Sequence, residues 1–458
     1  MTKAKQKDKF LYPALPATMH HYAASIFNPI RKGECVTTIW VSMAGRRMWN
    51  KFIIKNIKLF RKELPDYQKY LLIYIEPLDL TEESLAGYLR LMGKSFIEAC
   101  QKHKKCQKAV DLADKTEIFS QVTASYPALL EALKFLLNQA VESGLGVVFF
   151  LGEFDELKRF AKSVFYNNLK SLWDTFKPQL RYVFLSVADL TAPEITDSLG
   201  ELNAATLQNV LYVPIRQRKD IDYLIDFWGK RWNFQFGEKE KKLIKKLCGG
   251  HPYLVKAASR IISNFDRRKT KIEDLEEILT THYEMLSVAR RIFNLRAETE
   301  KEVLSKITQG EAMSFSDDLK RLLVLGLVEK KRNGKYEPVG ELFNLMIEKY
   351  KKGLRLTPGR EANGLYLDEE EGVVCYGGIP VEEKFTGQEY NVIKFFLEDP
   401  GKLKTRDKIS EILWGKESYE KYSDWAIDQV ISKIRKKLKQ LGAKTKLVTV
   451  RGRGYKLV

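Results

Sequence analysis

The sequence predicts a multidomain α/β chain: a parallel-sheet domain wrapped by helices, a helical lid, and two small helix-and-hairpin modules, the second closing the chain. Three observations predict it. To about residue 215, short apolar runs alternate with long amphipathic stretches. From about Lys219 to Leu286 only helical periodicity remains. Beyond Gly364, short alternating runs lead into three capped helices and a basic, glycine-rich hairpin. At 458 residues the chain exceeds what a single core supports, so two to four domains are expected. Its hydrophobic content of 44% and charged content of 30% are ordinary for a globular protein.

The strands come first. Thr37–Val41, Leu71–Ile75, Gly146–Leu151, Tyr182–Val187 and Val210–Val213 are short, rich in β-branched or aromatic residues, and bounded by polar or helical segments. Amphipathic stretches such as Tyr126–Val141 lie between them. Alternation of this kind places the strands in one parallel sheet between helical layers. In the lid, Gly249-Gly250 followed by His251-Pro252 marks one helix ending and the next beginning. Then comes a helical segment whose hairpin turns at Asn333-Gly334, between Val328–Lys331 and Lys335–Val339.

The formal net charge of +19 and pI of about 9.4 favour a polyanionic partner, nucleic acid or an anionic membrane surface, unless the surface is simply rich in lysine. No window approaches the roughly 18 apolar residues of a membrane span. The charged N-terminus lacks the apolar core of a secretory signal, so a cytoplasmic location is expected. The five cysteines are scattered without C-x-x-C spacing and read as reduced thiols. The five histidines are equally dispersed, and neither a metal nor a cofactor is expected.

The first strand runs into Ser42-Met43-Ala44-Gly45-Arg46-Arg47-Met48-Trp49 and then a helix. A phosphate-binding loop in this position needs glycines to wrap phosphate, a lysine to pair with it, and a hydroxyl to hold magnesium. Only Gly45 fits: Ser42 and Arg47 stand at glycine positions, Met48 at the lysine and Trp49 at the hydroxyl. A later strand ends Leu151-Gly152-Glu153, with Gly152 where a hydrolase places a metal-binding Asp and Glu153 in the second position. With Leu180–Val187 as a further strand, Tyr212–Ile215 as the exit to the lid, and Cys248–Leu254 beside it, the region resembles a degenerate P-loop ATPase of the AAA and STAND kinds. The resemblance implies a nucleotide site around Gly45, Arg46, Arg47 and Glu153, with Arg46 and Arg47 able to hold an anion or to face solvent or DNA. Loss of the lysine and the aspartate together predicts negligible hydrolysis, hence no enzyme.

The C-terminal segment is the most explicit. Thr386 and Glu389 form a capping box for a helix with apolar Tyr390, Ile393, Phe396 and Leu397, ended by Asp399-Pro400-Gly401. Thr405 caps a second helix, through Ile409, Ile412 and Leu413 to Trp414-Gly415. A third begins near Ser423 or Asp424, with the stripe Ile427, Val430, Ile431, Ile434 and Leu438. Its other face carries Gln429, Ser432, Lys433 and Lys436, extended by Arg435, Lys437 and Lys439. Donor-rich side chains on one helix face suit the major groove. Leu447–Val450 and Tyr455–Val458, joined through Arg451-Gly452-Arg453-Gly454, form a wing whose arginines suit the minor groove.

This ordered set resembles the OmpR/PhoB-type winged-helix domain of transcriptional regulators, through Thr386, Glu389-Tyr390, Leu397, Pro400-Gly401, Thr405-Arg406, Trp414-Gly415, Ile427-Asp428, Ile431, Ile434–Leu438 and Thr449–Tyr455. The resemblance implies double-stranded DNA as partner, with groove and phosphate contacts from Gln429, Ser432, Lys433, Arg435 and Lys436, and wing contacts from Thr449, Arg451 and Arg453. It also implies a polymerase-contacting loop after Trp414-Gly415. Trp425 departs from it, standing where a basic residue is usual, and no phosphoacceptor receiver domain is evident. The expected division is a basic tail over 1–20, a degenerate P-loop ATPase-like α/β domain over 21–216, a helical lid over 217–298, a small winged-helix segment over 299–351, a linker over 352–363, and the OmpR/PhoB-type winged helix over 364–458. The expected function is transcription regulation, with an inactive module for sensing, partner contact or homo-oligomer assembly. The alternatives are an active STAND-type NTPase targeted to DNA, or a replication or transposition adaptor.

Overall fold

The structure is a computed structural model that describes residues 12–109, 117–215, 218–265, 270–311, 313–351, 365–368, 373–376, 379–381, 385–399, 401–414, 424–441, 443, 445–450 and 452–458. The chain forms two compact units: Met1–Glu277 with Ile292–Asn344, and Ile278–Arg291 with Leu345–Val458.

The first unit opens with α1 (Pro16–Arg31) and β1 (Val36–Trp40), followed by α2 (Arg46–Lys55) and β2 (Tyr70–Ile75). Next come α3 (Leu85–Lys102), α4 (Lys104–Ala109), α5 (Tyr126–Glu142), β3 (Gly146–Leu151), α6 (Ser163–Phe176) and β4 (Leu180–Ser186). α7 (Pro193–Leu199), α8 (Asn203–Thr206) and β5 (Val210–Val213) complete the sheet domain. All five strands pair in parallel, in the order β2-β3-β4-β1-β5. β1, β3 and β4 are buried along their whole length, which is why they read as continuous apolar runs rather than alternations. α1 begins inside the segment read as a tail, and Ala14 and Met19 are fully buried. Pro16 in the first turn and the apolar face Met19, Tyr22, Ala23, Ile26 and Phe27 explain the early start.

One expectation is overturned. Cys100 and Cys106 are joined in a disulfide, with Cα atoms 5.0 Å apart. α3 stops at Lys102, and His103 adopts an extended conformation before α4, so the chain doubles back and brings the two sulfurs together. Spacing along the sequence carries no trace of that turn. Cys35 and Cys248 are free and buried, as expected.

The lid contains α9 (Arg218–Arg231), α10 (Glu238–Cys248), α11 (Pro252–Ser263), α12 (Ile272–Thr281) and α13 (Tyr283–Asn294). Gly249 closes α10 in the left-handed region, and His251 caps α11, its ring accepting from Leu254 N. α14 (Glu298–Thr308) and α15 (Asp317–Val324) then lead to the hairpin β6 (Val328–Lys330) and β7 (Tyr336–Pro338) and on to α16 (Glu341–Lys351). Gly249 is required by proximity as well as by its φ of 58°: a Cβ there would lie 2.6 Å from the Val339 carbonyl carbon.

In the second unit, β8 (Leu365–Asp368), β9 (Val373–Tyr376) and β10 (Ile379–Pro380) form an antiparallel sheet. α17 (Gly387–Glu398), β11 (Leu403–Lys404), α18 (Arg406–Trp414), α19 (Asp424–Gln440), β12 (Leu447–Val450) and β13 (Gly454–Leu457) follow. β11 pairs with β13 to make the wing sheet three-stranded, an addition that two residues cannot announce in sequence. Val392, Ile393, Phe396, Ile409, Ile427, Ile431, Ile434, Tyr455 and Leu457 meet in one core.

Candidate nucleic-acid interface and the phosphate-loop region

α19 stands on its apolar stripe. Ile427, Ile431, Ile434 and Leu438 are buried, each contributing about 1.5–3 kcal/mol on burial. Gln429, Ser432, Lys433 and Lys436 are exposed together on the opposite face. Lys433, Lys436 and Lys439 have no carboxylate partner among the described residues, so their charge is directed at solvent. Trp425, in the first turn of α19, is 69% exposed.

The remaining cations of α19 are engaged inside the domain. Lys437 Nζ lies 2.6 Å from the carboxylate of Glu389, which also accepts from Thr386 N at 2.8 Å and so completes the capping box of α17. Arg435 reaches the wing: its Nε donates to Leu447 O at 2.6 Å and its Nη2 to Thr449 Oγ1 at 2.7 Å. The guanidinium also sits 5.9 Å from the ring centre of Tyr455. Arg435 and Thr449, expected as separate helix and wing contacts to DNA, thus bond to each other. Arg453 is exposed at the wing tip, whereas Arg451 lies outside the described residues.

A second tie holds the same elements. The Tyr455 hydroxyl donates to Asp428, and Arg406 Nη2 donates to the same carboxylate at 2.8 Å. Arg406 Nη1 reaches Asp424 O at 3.1 Å. The Tyr455 bond, followed by that of Arg406, holds Asp428 below the usual carboxylate range. Burial, reinforced by Asp428, pushes the Tyr455 phenol up to about 12. Gly454, at φ 133°, lets the wing close on β11, because a Cβ would collide with Lys404 O. Much of the C-terminal signature is therefore scaffolding: Glu389 ties the start of α17 to α19, while Arg406, Asp428, Arg435, Gly454 and Tyr455 fasten α18, α19 and the wing strands to one another.

In the first unit, Gly45, Arg46, Arg47 and Glu153 do come together at the end of the sheet. Gly45, at φ 94°, caps α2. Arg46 lies 3.3 Å from Glu153 and 3.8 Å from Asp155. Arg47 pairs with buried Glu76, which Lys51 also approaches at 2.8 Å. The two arginines read as anion ligands are thus neutralised by carboxylates of the neighbouring strand ends. Trp49 is buried, its ring edge-on to Trp40 at 5.3 Å and to Tyr22 at 5.3 Å. His251 Nε2 lies 2.7 Å from Ser42 O, tying the lid to the loop. At Gly152 a Cβ would lie 2.8 Å from Ile75 O, so the position at which a hydrolase carries its aspartate is crowded here by the adjoining strand. Asp155 accepts from Ala188 N at 3.0 Å and Val187 N at 3.3 Å. Glu76 and Asp155 carry no motif signal in the sequence, and only their position just beyond the ends of neighbouring strands reveals them.

Residues 381–457 match the family described as "Transcriptional regulatory protein, C terminal". The phosphate regulon transcriptional regulatory protein PhoB of Klebsiella pneumoniae is 31% identical over 96 residues, 21% of this chain and 40% of that protein. PhoB of Escherichia coli (strain K12) is 32% identical over the same length, with the same coverage. The transcriptional regulatory protein YxdJ of Bacillus subtilis (strain 168) is 25% identical over 127 residues, 25% of this chain and 53% of the relative. The chain therefore spans about half or less of the curated relatives it matches. Among solved structures, a Walker-type ATPase of Pyrococcus abyssi aligns at 10% identity and TM-score 0.44, over 72% of this chain and 95% of that one. The Aeropyrum pernix ORC1 protein, solved in complex with DNA, aligns at 13% identity and TM-score 0.36, over 74% and 93%. Likenesses at this level carry no argument about chemistry. The C-terminal segment is an OmpR/PhoB-type winged-helix domain.

Proposed function

We propose that this chain binds double-stranded DNA through its C-terminal winged helix and regulates transcription. α19 enters the major groove and the wing approaches the minor groove. The carrying observation is the division of cations on α19: Lys433, Lys436 and Lys439 are exposed and without carboxylate partners among the described residues, while Arg435 and Lys437 are consumed in positioning. Lys433 and Lys436 supply phosphate and base-edge contacts, Gln429 and Ser432 supply neutral donors and acceptors, and Arg453 with Arg451 serves the wing. Binding to duplex DNA measured against salt tests this reading. A steep linear fall of log K with log salt is expected, and a flat dependence would refute it.

The α/β module, in this reading, acts without nucleotide turnover and serves sensing or assembly. Support comes from Met48 and Gly152 at the lysine and aspartate positions, and from the carboxylate partners already held by Arg46 and Arg47. Calorimetric titration with ATP and magnesium tests it: turnover that disappears in Glu153→Gln would instead establish an NTPase.

A further inference from the structure

The C-terminal domain does not account for the charge of this chain. Its residues 364–458 hold 18 Lys and Arg against 15 Asp and Glu, so most of the +19 surplus lies elsewhere. Within the lid, much basic charge is locally neutralised: Lys241 lies 2.7 Å from Asp226, Lys245 2.5 Å from Asp222 and Lys246 2.6 Å from Glu276. Arg231 and Lys256 are different. Neither has a carboxylate partner among the described residues, and both are held over aromatic rings. Trp228 in the last turn of α9 and Trp232, just past its end, stack with centroids 5.2 Å apart. Lys256 Nζ on α11 sits 5.2 Å from the Trp228 ring and 5.9 Å from that of Tyr253, and the Arg231 guanidinium sits 5.9 Å from Trp228.

We infer that this corner of the lid is a second DNA contact, in which Arg231 and Lys256 grip backbone phosphates independently of sequence. A cation over an indole face is preorganised yet retains its charge, so it meets a phosphate with less loss of side-chain freedom than a solvated lysine. An acidic surface would serve the same cations, but the chain-wide excess of positive charge points to a polyanion. The partly exposed Trp228 and Trp232 beside the cations supply an apolar surface for the sugars. The inference does not depend on the C-terminal reading, since it uses other residues and another source of charge.

The test uses the full chain carrying Arg231→Gln and Lys256→Gln, on duplexes of unrelated sequence, with the salt dependence of binding as readout. Each phosphate contact contributes about 0.9 to the slope of log K against log salt, so the double variant is expected to lose about 2. The loss should be the same on every sequence. A parallel full-chain variant, Lys433→Ala with Lys436→Ala, separates the two readings. If only the C-terminal reading fails, that variant binds normally while the lid variant still loses slope. If the lid inference fails, Arg231→Gln/Lys256→Gln leaves slope and affinity unchanged, and that result overturns it. A larger loss on single-stranded than on duplex DNA would assign the contact to an unpaired strand and overturn the duplex assignment. Arg231 is exposed and Lys256 partly exposed, and an unchanged circular dichroism spectrum checks that the fold is retained.

Discussion

Arg435 offers the sharpest separation between a DNA ligand and a positioning residue. Truncation to alanine removes two hydrogen bonds to the wing, to Leu447 O at 2.6 Å and Thr449 Oγ1 at 2.7 Å. Bonds from a charged donor contribute about 1.5–3 kcal/mol each when shielded. Arg435 is exposed, so water replaces part of that, and the pair together should contribute about 1–2 kcal/mol. The effect belongs to the docking of β12 and β13 on α19 and is present without DNA. Amide hydrogen exchange of the wing strands in the free protein measures it. Arg435→Ala should raise exchange in β12 and β13 by about 5–30-fold, the factor that 1–2 kcal/mol represents. Lys433→Ala, two residues earlier and so roughly 200° around the helix from Arg435, and without a carboxylate partner among the described residues, should leave wing exchange unchanged. Arg435→Lys should restore only part of the protection, because an ammonium cannot span both acceptors in the guanidinium's fixed fork. If Arg435→Ala leaves exchange unchanged and only weakens DNA binding, then the arginine serves the phosphate backbone and the positioning argument is wrong.

Other outcomes follow from the same geometry. Lys433→Ala and Lys436→Ala should each lower the salt slope by about 1 while weakening binding, read from titrations at several salt concentrations. The phenol of Tyr455 has its folded pKa raised to about 12, above an unfolded value near 10, so its contribution is intact below about pH 10 and is lost as pH rises toward 12. Asp428 is depressed, so its contribution is intact above its unfolded value and is lost as pH falls through the folded one. Wing exchange followed across both ranges checks the two signs, and Tyr455→Phe should remove the alkaline loss. Gly152→Ala should destabilise the sheet domain by about 1–3 kcal/mol, read as a lower denaturant midpoint, because the new Cβ presses on Ile75 O. Denatured without reductant, the chain should present two fewer titratable thiols than with it, and Cys100→Ala with Cys106→Ala should cost about 2 kcal/mol for so short a loop.

The alternation of apolar runs and helical stretches determined the parallel sheet, and β3 and β5 have the bounds read from sequence. Capping chemistry was equally direct: Thr386 and Glu389 bond reciprocally, and α19 begins at Asp424 with its expected stripe inward. These features depend on residues within a turn or two of each other, where periodicity and hydrogen-bond valence act locally. The exposed face of Gln429, Ser432, Lys433 and Lys436 was legible for the same reason, since a helix that buries one stripe must present the other. What sequence could not divide was the cations of α19. Arg435 and Lys437 share their spacing and chemistry with Lys433 and Lys436, yet Leu447, Thr449 and Glu389 claim the first two. The pairing of Arg46 with Glu153 and Asp155, of Arg47 with Glu76, and of Cys100 with Cys106 was hidden in the same way. Each depends on how strands, helix ends and turns meet across the fold, and whether a charge is neutralised or free is decided by that meeting, because Coulomb attraction and hydrogen bonding act over a few ångströms of space and take no account of distance along the chain.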